Sequence, residues 1–272
     1  MKVYLLRSLA AACLAASLVS SAFAQTAPEP AKEFKPEVGQ EGKDVIWVPT
    51  PQALVDRMLD IAKATSSDFV VDLGSGDGRT VITAAKRGIR ALGIEYNPDM
   101  VELSTRNAEK EGVSEKAKFI KADLFETDFS KATVVTMFLL TDINRRLRPK
   151  ILDMKPGTRV VSNTFDMGDW TPDDTISADN EACSNYCKAY FWIVPAKVAG
   201  TWTIPQGTLT LTQKYQEVSG TLTAAGKTVK ISEGKLRGDE IAFVAGDMRY
   251  TGTVNGKTIE GTMSPVFKAT KK

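Results

Sequence analysis

The chain has 272 residues, 43% of them hydrophobic, with 35 Lys and Arg against 33 Asp and Glu. Such a length accommodates two packed domains, and the near balance of charge gives no global reason to expect nucleic acid or an anionic membrane as partner. The sequence contains no histidine, which excludes Ser-His-Asp and Cys-His hydrolases, histidine-ligated metals and imidazole bases.

Residues 1–24 read as a cleavable signal peptide. Lys2 and Arg7 form a basic start, Ser8 to Val19 an apolar core, and Ala22-Phe23-Ala24 a small-x-small cleavage site. The apolar core is shorter than the roughly 20 residues a membrane span needs. Cleavage after Ala24 removes two basic residues and leaves the mature chain with no net charge and no expected membrane span. Residues 25–44 are rich in proline and charge, and are expected as a flexible linker.

From 45 to 195, strand-like and helix-like segments alternate. Thr50-Pro51 predicts a capped helix start, followed by Leu54, Met58 and Ile61 on one face. Strands are predicted at 69–73, 89–95, 118–122, 133–139 and 158–162. Helices are predicted from Arg79 to Gly88, from Asn97-Pro98 to Gly112, and over 143–154, the last interrupted or bent near Pro149. Arg145, Arg146, Arg148 and Lys150 on that last helix read as a solvated basic face. The alternation predicts an α/β domain: a doubly wound, mostly parallel sheet with helices on both faces. Ligands of such sheets sit beyond the carboxyl ends of the strands. Cys183 and Cys187, spaced C-x₃-C, suggest a local disulfide in an exported protein. Residues 196–272 hold half of the glycines and lose helical periodicity. They predict a small antiparallel β barrel or sandwich of about six to eight strands, with a structural or partner-binding role.

Residues 70–79, VVDLGSGDGR, carry the first chemical signal. Gly74, Gly76 and Gly78 allow a tight turn and close approach of backbone to a ligand. The spacing is neither that of the dinucleotide fingerprint, whose third glycine is replaced by Arg79, nor that of a phosphate loop. Asp72 ends the strand and Asp77 lies in the loop, so a pyrophosphate here would face two carboxylates. A ligand with an ammonium and a sulfonium would be attracted instead, as S-adenosylmethionine (SAM) would be. Glu95 closes the second strand, where a carboxylate can accept both ribose hydroxyls. Asp123 follows the third strand and can accept the adenine amino group.

The segments VVDLGSGDGR, GIEYN and KADLF resemble the motifs of class I SAM-dependent methyltransferases. The resemblance is nearer to the family containing the lysine methyltransferases of the mitochondrial ATP synthase c-ring protein and of the adenine nucleotide translocase. It covers roughly residues 45–175, including Val48-Pro49-Thr50-Pro51 and LRPKILDMKPGTRVVS at 147–162. It implies a Rossmann-like methyltransferase fold, SAM as cofactor, and methyl transfer to a protein, lysine included, or to a small molecule. It also implies that Thr50, within the VPTP segment, helps close the cofactor pocket beside Asp72, Gly74, Ser75, Gly76, Asp77, Gly78, Glu95 and Asp123. The Asn/Asp-Pro-Pro-aromatic motif of many nucleic-acid and glutamine methyltransferases is missing after the fourth strand, where Phe138-Leu139-Leu140-Thr141 stands. Thr141, Asn163, Asp166 and Trp170 are expected near the active edge, with Asn163 and Asp166 the candidates for touching the acceptor. No metal site is expected. Export sets a difficulty, because SAM is made in the cytosol. Three readings stay open: an enzyme active outside the cytosol, an exported methyltransferase-fold binding module without turnover, and an anchored or unexported enzyme acting on the cytosolic side.

Overall fold

A computed structural model describes residues 34–178 and 183–265, all within one compact unit. The expected signal peptide and the first part of the linker lie outside the described residues.

The chain opens with helix α1 (Gln52–Ile61) and then alternates β1 (Phe69–Leu73), α2 (Arg79–Lys86), β2 (Arg90–Glu95), α3 (Pro98–Lys110) and β3 (Ala117–Lys121). Strand β4 (Val134–Met137), helix α4 (Thr141–Leu152) and strand β5 (Arg159–Asn163) follow. Strands β1 to β5 pair in parallel, as the alternation predicts. A hairpin of β6 (Asp174–Ser177) and β7 (Lys188–Ile193) extends the sheet, with β7 antiparallel to β5, giving the order β3-β2-β1-β4-β5-β7-β6. The order reverses between β1 and β4, and such a reversal opens a crevice at the carboxyl ends of the strands.

Successive strand residues face opposite sides of the sheet, so an apolar run supplies two cores at once. Val70, Val134 and Val161 face the core beneath α1 and α2. Val71, Val135 and Val160 face the one beneath α4, with Trp170 and Trp192. Each fully buried side chain of this size contributes about 1.5–3 kcal/mol. At the opposite, amino-terminal edge, buried Asp68 pairs with Arg159 and accepts from the Thr133 hydroxyl at 2.7 Å. That edge is closed by structural pairs, leaving the carboxyl edge free for a ligand.

Asn97 caps α3, accepting from the Asp99 N–H at 2.9 Å with Pro98 behind it. Thr50 does not cap α1: Pro51 holds that position and the Thr50 hydroxyl is engaged elsewhere. Helix α4 runs unbroken through Pro149, because the proline falls in its final turn and displaces only one helical bond. The basic face of α4 is partly committed. Lys150 donates to the carbonyls of Phe125 and Thr127, and Arg148 pairs with Asp169 at 2.7 Å.

The remaining strands are β8 (Gly200–Ile204), β9 (Gly207–Lys214), β10 (Glu217–Ala224), β11 (Lys227–Arg237), β12 (Glu240–Ala245), β13 (Met248–Asn255) and β14 (Thr258–Pro265). They form a seven-stranded antiparallel meander in sequential order. Register shifts within β10–β11 and β11–β12 bend it. The result is a curled half-barrel around Leu209, Leu222, Leu236 and Phe243 rather than a closed barrel. The two sheets meet in a buried seam. Trp170 Nε1 donates to Gln216 Oε1 at 2.8 Å, and Gln216 Nε2 donates to the Thr171 carbonyl at 2.8 Å. Trp170, expected near the active edge, is fully buried in this seam.

Candidate active site

The glycine loop leaves β1 and turns over the end of β2. The N–H groups of Gly74 and Ser75 both donate to the Ile94 carbonyl, at 2.9 and 3.2 Å. Gly74, Gly76 and Gly78 have φ of +73°, +53° and +84°, in the left-handed region that favours glycine. At Gly76 a Cβ would lie 2.6 Å from the Trp47 indole nitrogen, so the missing side chain lets Trp47 settle on the loop.

Of the residues expected to hold the cofactor, all but Gly78 line one crevice at this edge. Gly78 is instead a packing glycine. It precedes α2, and a Cβ there would meet the Phe119 ring at 2.7 Å and Ser104 at 2.8 Å. Ser75 lines the crevice, but its buried hydroxyl is turned toward Gly93, where a Cβ would lie 2.5 Å from it. Asp77 also lines it, yet its carboxylate is held by Arg79 at 2.6 Å. Arg79 donates in turn to the Thr50 carbonyl at 2.8 Å, tying the loop to the VPTP segment.

Three acids remain, at the ends of three adjacent strands about 4.8 Å apart. Asp72 is buried and accepts from the Thr136 hydroxyl at 2.6 Å. Burial pushes its carboxyl up to about 7, against the Thr136 and Thr80 hydroxyls, with Glu95 and Asp77 adding repulsion. Glu95 accepts from the N–H groups of Gly76 (2.9 Å), Tyr96 (2.9 Å) and Asn97 (3.0 Å). A carboxylate has about four acceptor positions. Glu95 in this arrangement therefore has room for one ribose hydroxyl, and the expected pair requires it to release a backbone donor. Asp123 accepts from the Phe125 N–H at 2.9 Å and from Lys43 at 2.6 Å. The Lys43 hydrogen bond, first of all, holds the Asp123 carboxyl below its ordinary range.

Lys43 comes from the segment expected as a linker. Residues 40–49 line the crevice as a strap. Backbone bonds between Gln40 and Trp47 and between Gly39 and Trp47 close it into a loop. Lys43 lies 5.0 Å from the centre of the Tyr96 ring and 5.7 Å from that of Phe125. The sequence signals for this strap are the apolar run Val45-Ile46-Trp47-Val48 and the VPTP segment expected to close the pocket; residues 40–44 carry none.

The acceptor candidates fare differently. Asn163 is fully buried; its Nδ2 donates to the Thr50 hydroxyl at 3.2 Å, and its Oδ1 accepts from the Thr164 hydroxyl at 2.8 Å. It steadies the VPTP segment and does not line the crevice. Asp166 accepts from the Thr141 hydroxyl at 3.2 Å and the Gly168 N–H at 3.0 Å, which is a loop-capping arrangement. No cluster able to hold a metal is found among the described residues.

This lining suits a cationic adenosyl ligand. Carboxylates share the lining with apolar Ile94, Met100 and Leu124. Residues 72–174 match the ANTKMT methyltransferase domain. Over 139 residues the chain is 48% identical to a protein-lysine N-methyltransferase of Saccharolobus islandicus, covering 50% of this chain and 86% of that protein. The chain belongs to this family of SAM-dependent methyltransferases. The lysine N-methyltransferase of Rattus norvegicus that is named for the C component of ATP synthase is 41% identical, covering 47% of this chain and 60% of that protein. The adenine nucleotide translocase lysine N-methyltransferase of Mus musculus is 36% identical, covering 43% and 52%. The crystal structure of an RNA methyltransferase from Salinibacter ruber with S-adenosyl-L-homocysteine (SAH) matches with a TM-score of 0.51 at 45% identity. It covers 56% of this chain and 96% of that one. The protein is thus an SAM-dependent methyltransferase, and the family match ends at residue 174, ahead of the half-barrel.

Proposed function

We propose that this methyltransferase modifies a lysine side chain of a protein outside the cytosol, holding SAM through Asp72, Glu95, Asp123 and the glycine loop. The observation that carries the cofactor assignment is the set of three carboxylates at adjacent strand ends around that loop. Lysine as acceptor is supported by the names of the relatives over the catalytic region. Export is supported by the leader pattern at residues 1–24 and by the Cys183–Cys187 disulfide, a bond that persists in oxidising compartments. Equal numbers of acidic and basic residues in the mature chain give no global reason to expect RNA as acceptor.

Bound SAM supplies an electrophilic methyl group on a sulfonium, for in-line displacement by the acceptor. The protein's work is placement. Ionised Asp72 would hold the cationic end of the ligand. Glu95 is fixed by three N–H groups, so it would orient one ribose hydroxyl without reorganising. Asp123, which shares its charge with Lys43, would hold the adenine end. Trp47 and the strap cover the loop and limit water. A lysine acceptor attacks only as the neutral amine, which desolvation at an apolar mouth favours. No side-chain base is required, in keeping with a chain lacking histidine.

The test is transfer of radiolabelled methyl from SAM to an envelope extract. Label recovered as methyl-lysine after protein hydrolysis is expected. Label in RNA, or SAM binding without any transfer, would overturn the acceptor assignment, and the second result would favour a binding module.

A further inference from the structure

At Phe138 the crevice meets a group of aromatic rings. Phe138 directly follows β4 and lines the crevice. The Tyr186 ring meets it edge-on at 5.2 Å, and the Phe165 ring lies 6.0 Å away on a near-parallel plane. The three rings come from three separate connections of the sheet, after β4, after β5 and before β7.

Two of those connections are held in costly backbone. Thr164, just before Phe165, has φ of +60°, an outlier for a β-branched residue. Tyr186 has φ of +57° inside the five-residue loop that Cys183 and Cys187 close. Such conformations persist where the surroundings over-determine them, and they gather at functional sites. Tyr186 is also 43% exposed. A large ring left that open, yet clipped covalently beside a crevice-lining ring, gains little from core burial.

We propose that Phe138, Phe165 and Tyr186 form an entry collar for the acceptor, taking a lysine side chain with its stem along the rings and its amino group toward the crevice. The Cys183–Cys187 bond keeps Tyr186 in the collar. The proposal rests on the lysine assignment above and adds the residues that recognise the side chain. Aliphatic stems of lysine pack on apolar surface while the head group stays polar. Ring faces attract ammonium groups, and most clearly quaternary ones. The collar therefore holds substrate and methylated product alike.

The probe is N-acetyl-Nε-trimethyllysine methylamide, titrated by calorimetry into the full-length, SAH-loaded protein. Binding is expected, weakened about fivefold by Tyr186→Ala and kept by Tyr186→Phe, which retains the ring. The double variant Cys183→Ser/Cys187→Ser should bind the probe as weakly as Tyr186→Ala. All variants should bind SAH like the wild type, which shows that they are folded. Equal probe affinity of wild type and Tyr186→Ala, or no probe binding by the SAH-loaded protein, would overturn the collar. Wild-type probe affinity in the double serine variant would overturn the role of the disulfide. Failure of the wild type to bind SAH would overturn the underlying methyltransferase site itself, a result distinct from the others.

Discussion

Asp72 links cofactor binding to pH in a way that can be measured. Burial pushes its carboxyl up to about 7, outweighing the hydroxyls of Thr136 and Thr80. A cationic ligand beside it favours the ionised form, so binding below that pH must first remove a proton. About half of the Asp72 carboxylates are charged at pH 7 and about 1% at pH 5. SAM affinity should therefore fall about 50-fold between these values, about 2.3 kcal/mol. Calorimetric titrations with SAM across that range, in buffers of different ionisation heat, would show the slope and the proton released. Asp72→Asn should bind weakly and with little slope. If wild type and Asp72→Asn show the same slope, Asp72 is not the coupled group and its proposed contact with the cationic end fails. Without ligand, folded Asp72 keeps its proton up to about 7 while the unfolded chain releases it near 4. The folded state then binds more protons between these values, so its stability falls as pH rises through them, and Asp72→Asn should remove that fall in Tm.

Other variants separate the roles of neighbouring residues. Glu95→Ala removes the acceptor shared by Gly76, Tyr96 and Asn97. SAM affinity should drop about tenfold or more, and unchanged affinity by calorimetry would speak against Glu95 as the ribose acceptor. Gly78→Ala places a methyl group 2.7 Å from the Phe119 ring at a φ of +84°. A loss of about 2–4 kcal/mol in urea unfolding is expected; wild-type stability would contradict the packing role given to Gly78. Gln216→Leu leaves the Trp170 indole N–H and the Thr171 carbonyl without partners in the seam. About 2–4 kcal/mol should be lost, and a variant as stable as wild type would show that the seam does not depend on that pair.

Much of the catalytic region is legible in residue order. The apolar runs 69–73 and 133–139, the glycines and the acids at strand ends are local signals, and local signals survive the loss of tertiary context. The β6–β7 hairpin is less visible, because Asp174–Ser177 is a short, half-exposed edge strand without a strong period. The strap is hidden for a related reason. Residues 40–44 hold no apolar side chain, and the order of the strap comes from Trp47 on Gly76 and Lys43 on Asp123, partners far along the chain. Gly78 shows the limit of motif reading: the motif requires a glycine there, but only the fold shows that Phe119 and Ser104 are the cause. Asn163 falls at the expected end of the sheet, yet its side chain turns to Thr50, and Trp170 lies in the seam with Gln216, which nothing local reveals.

The most direct measurement is the crystal structure of this protein with SAH. It should show the adenosyl group between the ends of β1, β2 and β3, a ribose hydroxyl on Glu95, the adenine amino group at Asp123 and the amino-acid end toward Asp72. SAH bound elsewhere, or lying in the crevice with all three carboxylates beyond hydrogen-bonding reach, would contradict the account.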